Sequence, residues 1–231
     1  MTRRLAALLS SLLLLAPLSL SAGQLTVAPI RLHMSPTQPN ATFTLTNGAN
    51  QEGFYQLQLF AWDQEEGEST LRQQQELVVT PPVTMIPANS EQVVRVVRQR
   101  PTDTKTEKSY RLVISEVPDK ESDNGAQLQV LLRISVPVFV GTEDQTHALT
   151  AAYRDGQLVI RNSGNAHARL ADAFWDDDQG KRHTLHSGLA GYVLPNRYLP
   201  MELPSSQGAK VRNVSFTVNG NPATLSVEHE Q

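Results

Sequence analysis

The chain has 231 residues, no cysteine, and 20 basic against 23 acidic side chains, for a net charge of −3. The missing thiols exclude disulfides, thiolate metal sites and cysteine nucleophiles, and the mildly acidic balance gives no basic footprint for nucleic acid. A chain of this length buries enough apolar surface to fold without cross-links, as one large or two ordinary domains.

In chain order, Arg3 and Arg4 precede an apolar run from Leu5 to Leu20, and small residues (Ser-Leu-Ser-Ala-Gly, 19–23) follow. A positive start, an apolar middle and a small-residue end make a secretory signal peptide, cleaved somewhere after 21–23. Pro17 and the serines interrupt a run already short for a span of about 20 residues, so membrane insertion after cleavage is not expected. We assign 1–22 to the signal. Strand patterns then dominate: Leu25–Met34, Ala41–Asn47, Gly53–Asp63, Gln75–Val79, Gln92–Arg98, Ser109–Val117 and Ala126–Val140. Most alternate apolar and polar residues, as Tyr55-Gln56-Leu57-Gln58-Leu59 does, and turn residues such as Asn47-Gly48, Glu66-Gly67 and Pro81-Pro82 separate them. Seven short strands in one stretch predict an immunoglobulin-like sandwich over 23–142. The polar stretch Gly141–Gln145 reads as a linker. A second sandwich is expected over 143–231, from strands at Leu149–Tyr153, Gln157–Asn162, Ala168–Trp175, Arg182–Leu185, Ala190–Leu194, Tyr198–Leu203, Ala209–Val218 and Ala223–Val227. The fold class is therefore all-β, with two sandwich domains.

Little in this pattern carries chemistry. His183 and His186 are three apart, which in a strand turns them to opposite faces, so a metal pair is not expected and His167, His183 and His186 read as surface polar residues. Asp176-Asp177-Asp178-Gln179-Gly180 lacks the alternate spacing and closing Glu of a calcium loop and reads as a hairpin turn. There is no glycine-rich phosphate loop and no Gly-x-Ser-x-Gly turn, so neither an enzyme nor a cofactor is expected. Two features stand out. Every even position from Leu128 to Val140 is Leu, Val or Ile, while the odd ones include Gln129, Arg133, Ser135 and Pro137. Such a strand is either the centre of a sandwich or an edge that offers an aliphatic row to another protein, and Pro137 favours an edge for part of it. Arg31 and Arg111 each interrupt an apolar strand. Their heads either stay in water over a packed stem or line an anion-binding cleft.

Thr80-Pro81-Pro82-Val83, Pro87, Gln92-Val93-Val94-Arg95-Val96 and Tyr110 to Pro118 resemble motifs of the periplasmic chaperones of chaperone–usher pilus assembly. Leu158 to His167 and Gly191 to Pro195 resemble the archaic branch, which includes spore-coat-U-type systems. The resemblance implies two immunoglobulin-like domains set as an L, a non-enzymatic role in fimbrium and cell-wall assembly, and pilus or coat subunits and an outer-membrane usher as partners. By the same resemblance, Leu128, Val130, Leu132 and Ile134 complete the subunit's open sandwich, and Arg31 holds the subunit's C-terminal carboxylate. The second anchor, a Lys in the family, falls at Pro137, which makes Arg111 on the neighbouring strand the candidate substitute. Glu116 matches an interdomain carboxylate whose Arg partner falls at Gly141, so that bridge is not expected. A secreted adhesion or carbohydrate-binding module is the alternative, but aromatic residues make up only 6% of the chain.

Overall fold

The computed structural model describes residues 25–100, 105–118, 131–142, 144–203 and 210–229. The signal segment, Leu128 and Val130 lie outside these residues. Among the described residues all regular structure is β. The first half contains β1 (Leu25–Ala28), β2 (Leu32–Met34), β3 (Asn40–Asn47), β4 (Gly53–Glu65), β5 (Glu68–Gln73), β6 (Leu77–Thr80), β7 (Val83–Ile86), β8 (Ser90–Arg98), β9 (Lys108–Glu116) and β10 (Arg133–Val140). They form two sheets, β1-β3-β8-β6 and β2-β10-β9-β4-β5, with β7 also on β4.

The segment expected as one strand over 25–34 is two. Leu25–Ala28 pairs antiparallel with β3, and Leu32–Met34 pairs parallel with β10 in the other sheet. Pro29 lies at the crossing, where a residue without an N–H can leave a ladder at no cost in pairing. Alternation works as expected in β3, whose Ala41, Phe43 and Leu45 point inward while Thr42 is exposed. These side chains meet Leu57, Ile86, Val94, Leu112, Ile114, Val136 and Val138 in one core between the sheets. Short strands β5 and β7 were not foreseen, being polar or interrupted by turn residues.

The second half contains β11 (Leu149–Arg154), β12 (Gln157–Asn162), β13 (Ala168–Asp177), β14 (Arg182–Val193), β15 (Arg197–Glu202), β16 (Val211–Val218) and β17 (Asn221–His229). Their order is β14-β13-β16-β17-β11-β12-β15. The path folds over at β17, which pairs antiparallel with β16 and, at its far end, parallel with β11. Leu158 and Ile160 thereby face Leu170, Val214 and Phe216 across a second core. The two strands expected at 182–185 and 190–194 are one strand, carried past Gly188 by shifts of register against β13. Both halves are immunoglobulin-like sandwiches.

Candidate functional site

β10 has two different halves. Val138, Phe139 and Val140 lie between β2 and β9, whereas Arg133 to Pro137 pair with β9 alone because β2 is only three residues long. The parity of the bonds tells which backbone groups stay free. The Glu116 N–H donates to the Leu132 carbonyl at 2.8 Å, and the Gly141 N–H donates to the Met34 carbonyl at 2.9 Å. Even residues therefore bond β9 and odd residues point the other way, since bonded and non-bonded pairs alternate along an antiparallel ladder. Among the described residues Arg133 and Ser135 thus turn their N–H and C=O to an open edge, and Pro137 has no N–H to leave unpaired. On the even face, Val136, Val138 and Val140 are buried in the protein's own core, while Leu132 and Ile134 are half-buried on its margin. Glu116 does not reach the second sandwich: its Oε2 accepts the Leu132 N–H at 3.0 Å and fixes the start of β10.

Arg31, Pro137, Arg111 and Phe60 share one row across the outer face of this sheet, because Leu32 lies level with Val138, Pro137 with Arg111 and Arg111 with Phe60. Among the described residues no carboxylate pairs with either arginine. Arg111 instead lays its guanidinium 3.7 Å from the Trp62 ring centre and 5.7 Å from that of Tyr192. Burial there pushes its pKa down, and a desolvated cation over an indole is worth about 2 kcal/mol. Trp62 belongs to β4, on the far side of β9 from Arg31, so Arg111 leans away from Arg31. Arg31 opens on a cavity of about 300 Å³ between the sandwiches.

One row further along, the two sandwiches meet through rings. Phe139 stacks on His167 at 3.6 Å between centres, lies 5.3 Å from His33 and 6.0 Å from Trp62, and Tyr192 meets Trp62 edge-on at 5.5 Å. Polar groups bridge the same seam. Gln64 donates to the Tyr192 carbonyl and accepts the Leu194 N–H, each at 2.8 Å, and Arg197 grips Asp63 with two bonds of 2.7 and 2.8 Å. The Arg197 hydrogen bonds hold the Asp63 carboxyl below its usual pKa. Glu107 is wholly buried, with one oxygen 2.7 Å from His167 Nδ1 and 3.0 Å from the His167 N–H. Gly67 lies against Pro200, where an added Cβ would come within 2.4 Å of the ring.

Residues 24–143 match the family described as "Pili and flagellar-assembly chaperone, PapD N-terminal domain". The chain belongs to this family of pilus chaperones. No curated protein matches it by sequence. Among solved structures, the CsuC–CsuE chaperone–tip adhesion subunit complex of the archaic Csu pili of Acinetobacter baumannii is similar at TM-score 0.71 and 18% identity, over 90% of this chain and 100% of that one. The Salmonella enterica SafA pilin–SafB chaperone complex is similar at 0.64 and 17%, over 89% and 97%. The E. coli chaperone DraB is similar at 0.62 and 15%, over 90% and 97%. At these identities the likenesses speak for the two-domain fold, and the family for a chaperone rather than an enzyme.

Within this pilus-chaperone frame the motif segments find structural roles. Thr80-Pro81-Pro82-Val83 joins β6 to β7 and is tied to β4 by the Leu57 N–H to the Pro82 carbonyl at 2.8 Å. Leu158–His167 and Gly191–Pro195 meet at Asn162. Its amide donates to the carbonyls of Ala166 and Val193 at 2.8 and 3.1 Å and accepts the N–H groups of Ala148 and Gly164 at 3.1 and 3.0 Å. This fixes the loop that presents His167 to the first sandwich. His167 is thus not the surface residue expected from sequence but is 5% exposed, because Glu107 and Phe139 close over it. His183 bonds Asp177 at 2.9 Å and stacks on Trp175, and Asp177 also accepts the Gln179 and Lys181 N–H groups in the expected hairpin turn. The polar stretch from 141 is packed at its start, where Gly141 and Thr142 are buried. Missed in sequence were His33, Trp62, Asp63, Gln64, Glu107 and Arg197. Phe139, His167, Tyr192 and Leu194 lay in segments already singled out.

Proposed function

We propose that this chaperone acts in the periplasm, capturing pilus, fimbrial or coat subunits by adding β10 as a strand to their incomplete sandwiches and delivering them to an outer-membrane usher. The observation that carries the reading is the open edge at Arg133 and Ser135, beside an aliphatic face that runs on through Ile134 and Leu132. Strand addition supplies affinity through main-chain bonds and selectivity through alternate side chains. Each Leu or Ile that enters a subunit groove contributes about 1.5–3 kcal/mol before the cost of association, and no nucleotide is needed. Leu132 and Ile134 are two of these side chains, and Leu128 and Val130 continue the row in sequence. Arg31, beside the edge and without a carboxylate partner among the described residues, takes the subunit's C-terminal carboxylate and so sets the register. Arg111 is the second contact, reached by releasing Trp62. Ser135→Pro tests the edge. Proline is tolerated on an edge strand where the lost N–H faces outward, as Pro137 illustrates one pair further on. The variant is expected to keep its folded circular-dichroism spectrum and to lose co-purification of the subunit. Full recovery of subunit by a folded Ser135→Pro would rule out pairing along this edge.

A further inference from the structure

The cavity between the sandwiches holds more nitrogen side chains than a single arginine supplies. Arg31, His33, His147 and His167 line it, together with the neutral Gln145 and Asn219. His33 faces charges from every element around it: Arg31 just before its own strand, His167 ahead of β13 with its ring 5.4 Å away, and Glu107 at the start of β9. His147 reaches the cavity from the connector, and β10 contributes only the uncharged ring of Phe139. Glu107 is already engaged by His167 and has no exposed surface. The lining therefore presents one guanidinium and three imidazoles and, among the described residues, no free carboxylate. Guanidinium forks take carboxylates with two parallel bonds, and a protonated imidazole offers a further charged N–H.

We propose that this cavity is a carboxylate seat in which His33 is a binding residue beside Arg31, taking up a proton as the anion enters, so that capture tightens with acidification. Only the source of the carboxylate, the subunit's C-terminus, rests on the strand-addition reading above. Burial of His33 first, then the neighbouring His167 and, least, Arg31 lower its pKa below the usual imidazole value, while Glu107 raises it by more than Arg31 lowers it. A carboxylate held between Arg31 and His33 removes that penalty on the charged ring. Proton uptake and anion binding then favour each other to the same extent, because the coupling is reciprocal.

The test uses the free chaperone and acetate. The imidazole C–H resonances of His33 are followed by NMR between about pH 5 and 8, where histidine charge changes occur, in chloride and in acetate at equal ionic strength. Acetate is expected to raise the His33 midpoint by about one pH unit, the scale of a close opposite charge. Acetate should accordingly bind about tenfold tighter to the protonated form. Acetamide should leave the midpoint where chloride leaves it, and Arg31→Ala should remove the acetate response. A His33 midpoint equal in acetate and chloride overturns the seat. If that occurs while Ser135→Pro abolishes subunit capture, strand addition stands without it. If acetate moves His33 while a folded Ser135→Pro still captures subunits, the seat stands and strand addition falls.

Discussion

Asn162 and His167 are five residues apart and were legible to different degrees. Asn162 sits in a strand–loop stretch that resembles other pilus chaperones, and its role follows from an amide saturated by four backbone groups. Removing it takes the side-chain donor from two buried carbonyls, Ala166 and Val193, and the acceptor from the N–H groups of Ala148 and Gly164, which lie nearer water. The penalty for each group so stranded is about 1–3 kcal/mol when no water replaces the amide. Asn162→Ala is expected to lower unfolding free energy in urea by about 2–4 kcal/mol, the lower part of the sum over the two buried carbonyls, because a loop can admit water. A change under about 0.5 kcal/mol, the range of ordinary surface substitutions, would show that the loop holds itself without the amide. His167 ends the same stretch, but nothing in the stretch signals its burial. Its burial is decided by Glu107, sixty positions earlier in a polar stretch, and by Phe139 on β10. Pairing of two polar residues across a domain seam leaves no period or spacing to read.

At the scale of elements, alternation located most strands, because one face of each packs on a core and the other meets water. The sheet switch at Pro29 changes the inward parity from odd in β1 (Leu25, Val27) to even in β2 (Leu32, Met34), but the unbroken apolar run from Val27 to Ile30 hides the change in sequence. Alternation also left β10 between two readings, and each describes one half: core where β2 covers it, open edge where β2 ends. A further row emerges only from register. Leu131, Val117, Phe54 and Met85 lie level with one another on the outer face, and all are exposed, as is Val83 nearby at 58%. Contiguous exposed apolar side chains mark an interaction surface. Phe54, Met85 and Val83 lie on β4 and β7, at the side of the sheet away from the β10 edge, so a subunit laid along β10 leaves them open. Under the proposed delivery to an usher, this is the surface left free to meet it. Val83→Asp with Met85→Asp should leave stability within about 0.5 kcal/mol, retain subunit co-purification, and abolish pili on the cell surface. Loss of co-purification in a folded double variant would place the row in subunit capture instead.

For the whole molecule, the question is whether the two sandwiches move as one body. Sandwiches joined by a polar linker are expected to move independently unless the seam between them is substantial, and only the linker is readable in the residue pattern. The seam here carries the ring stack, the Gln64 bonds to Tyr192 and Leu194, the buried Glu107–His167 contact and the Asp63–Arg197 pair. The pair is the part that pH can address. Asp63 is held below the usual carboxylate range when folded, so its ionised form binds fewer protons than the unfolded chain near that range. Its stabilisation is therefore complete above the unfolded carboxylate value near about 4, and is lost as pH falls through the lowered folded value. Both side chains are about a third exposed, which limits the contribution to roughly 0.5–1 kcal/mol. Arg197→Ala should thus lose about that much stability against urea at pH 7, and the gap to wild type should narrow as pH falls below the usual carboxylate range. Small-angle scattering at pH 7 should show a larger radius of gyration for the variant, since Arg197 holds β15 to β4 directly. An unchanged scattering curve would mean that the rings, Gln64 and Glu107 fix the seam without the salt bridge. A stability gap that persists undiminished at low pH would assign the effect of Arg197 to packing of its stem rather than to its charge.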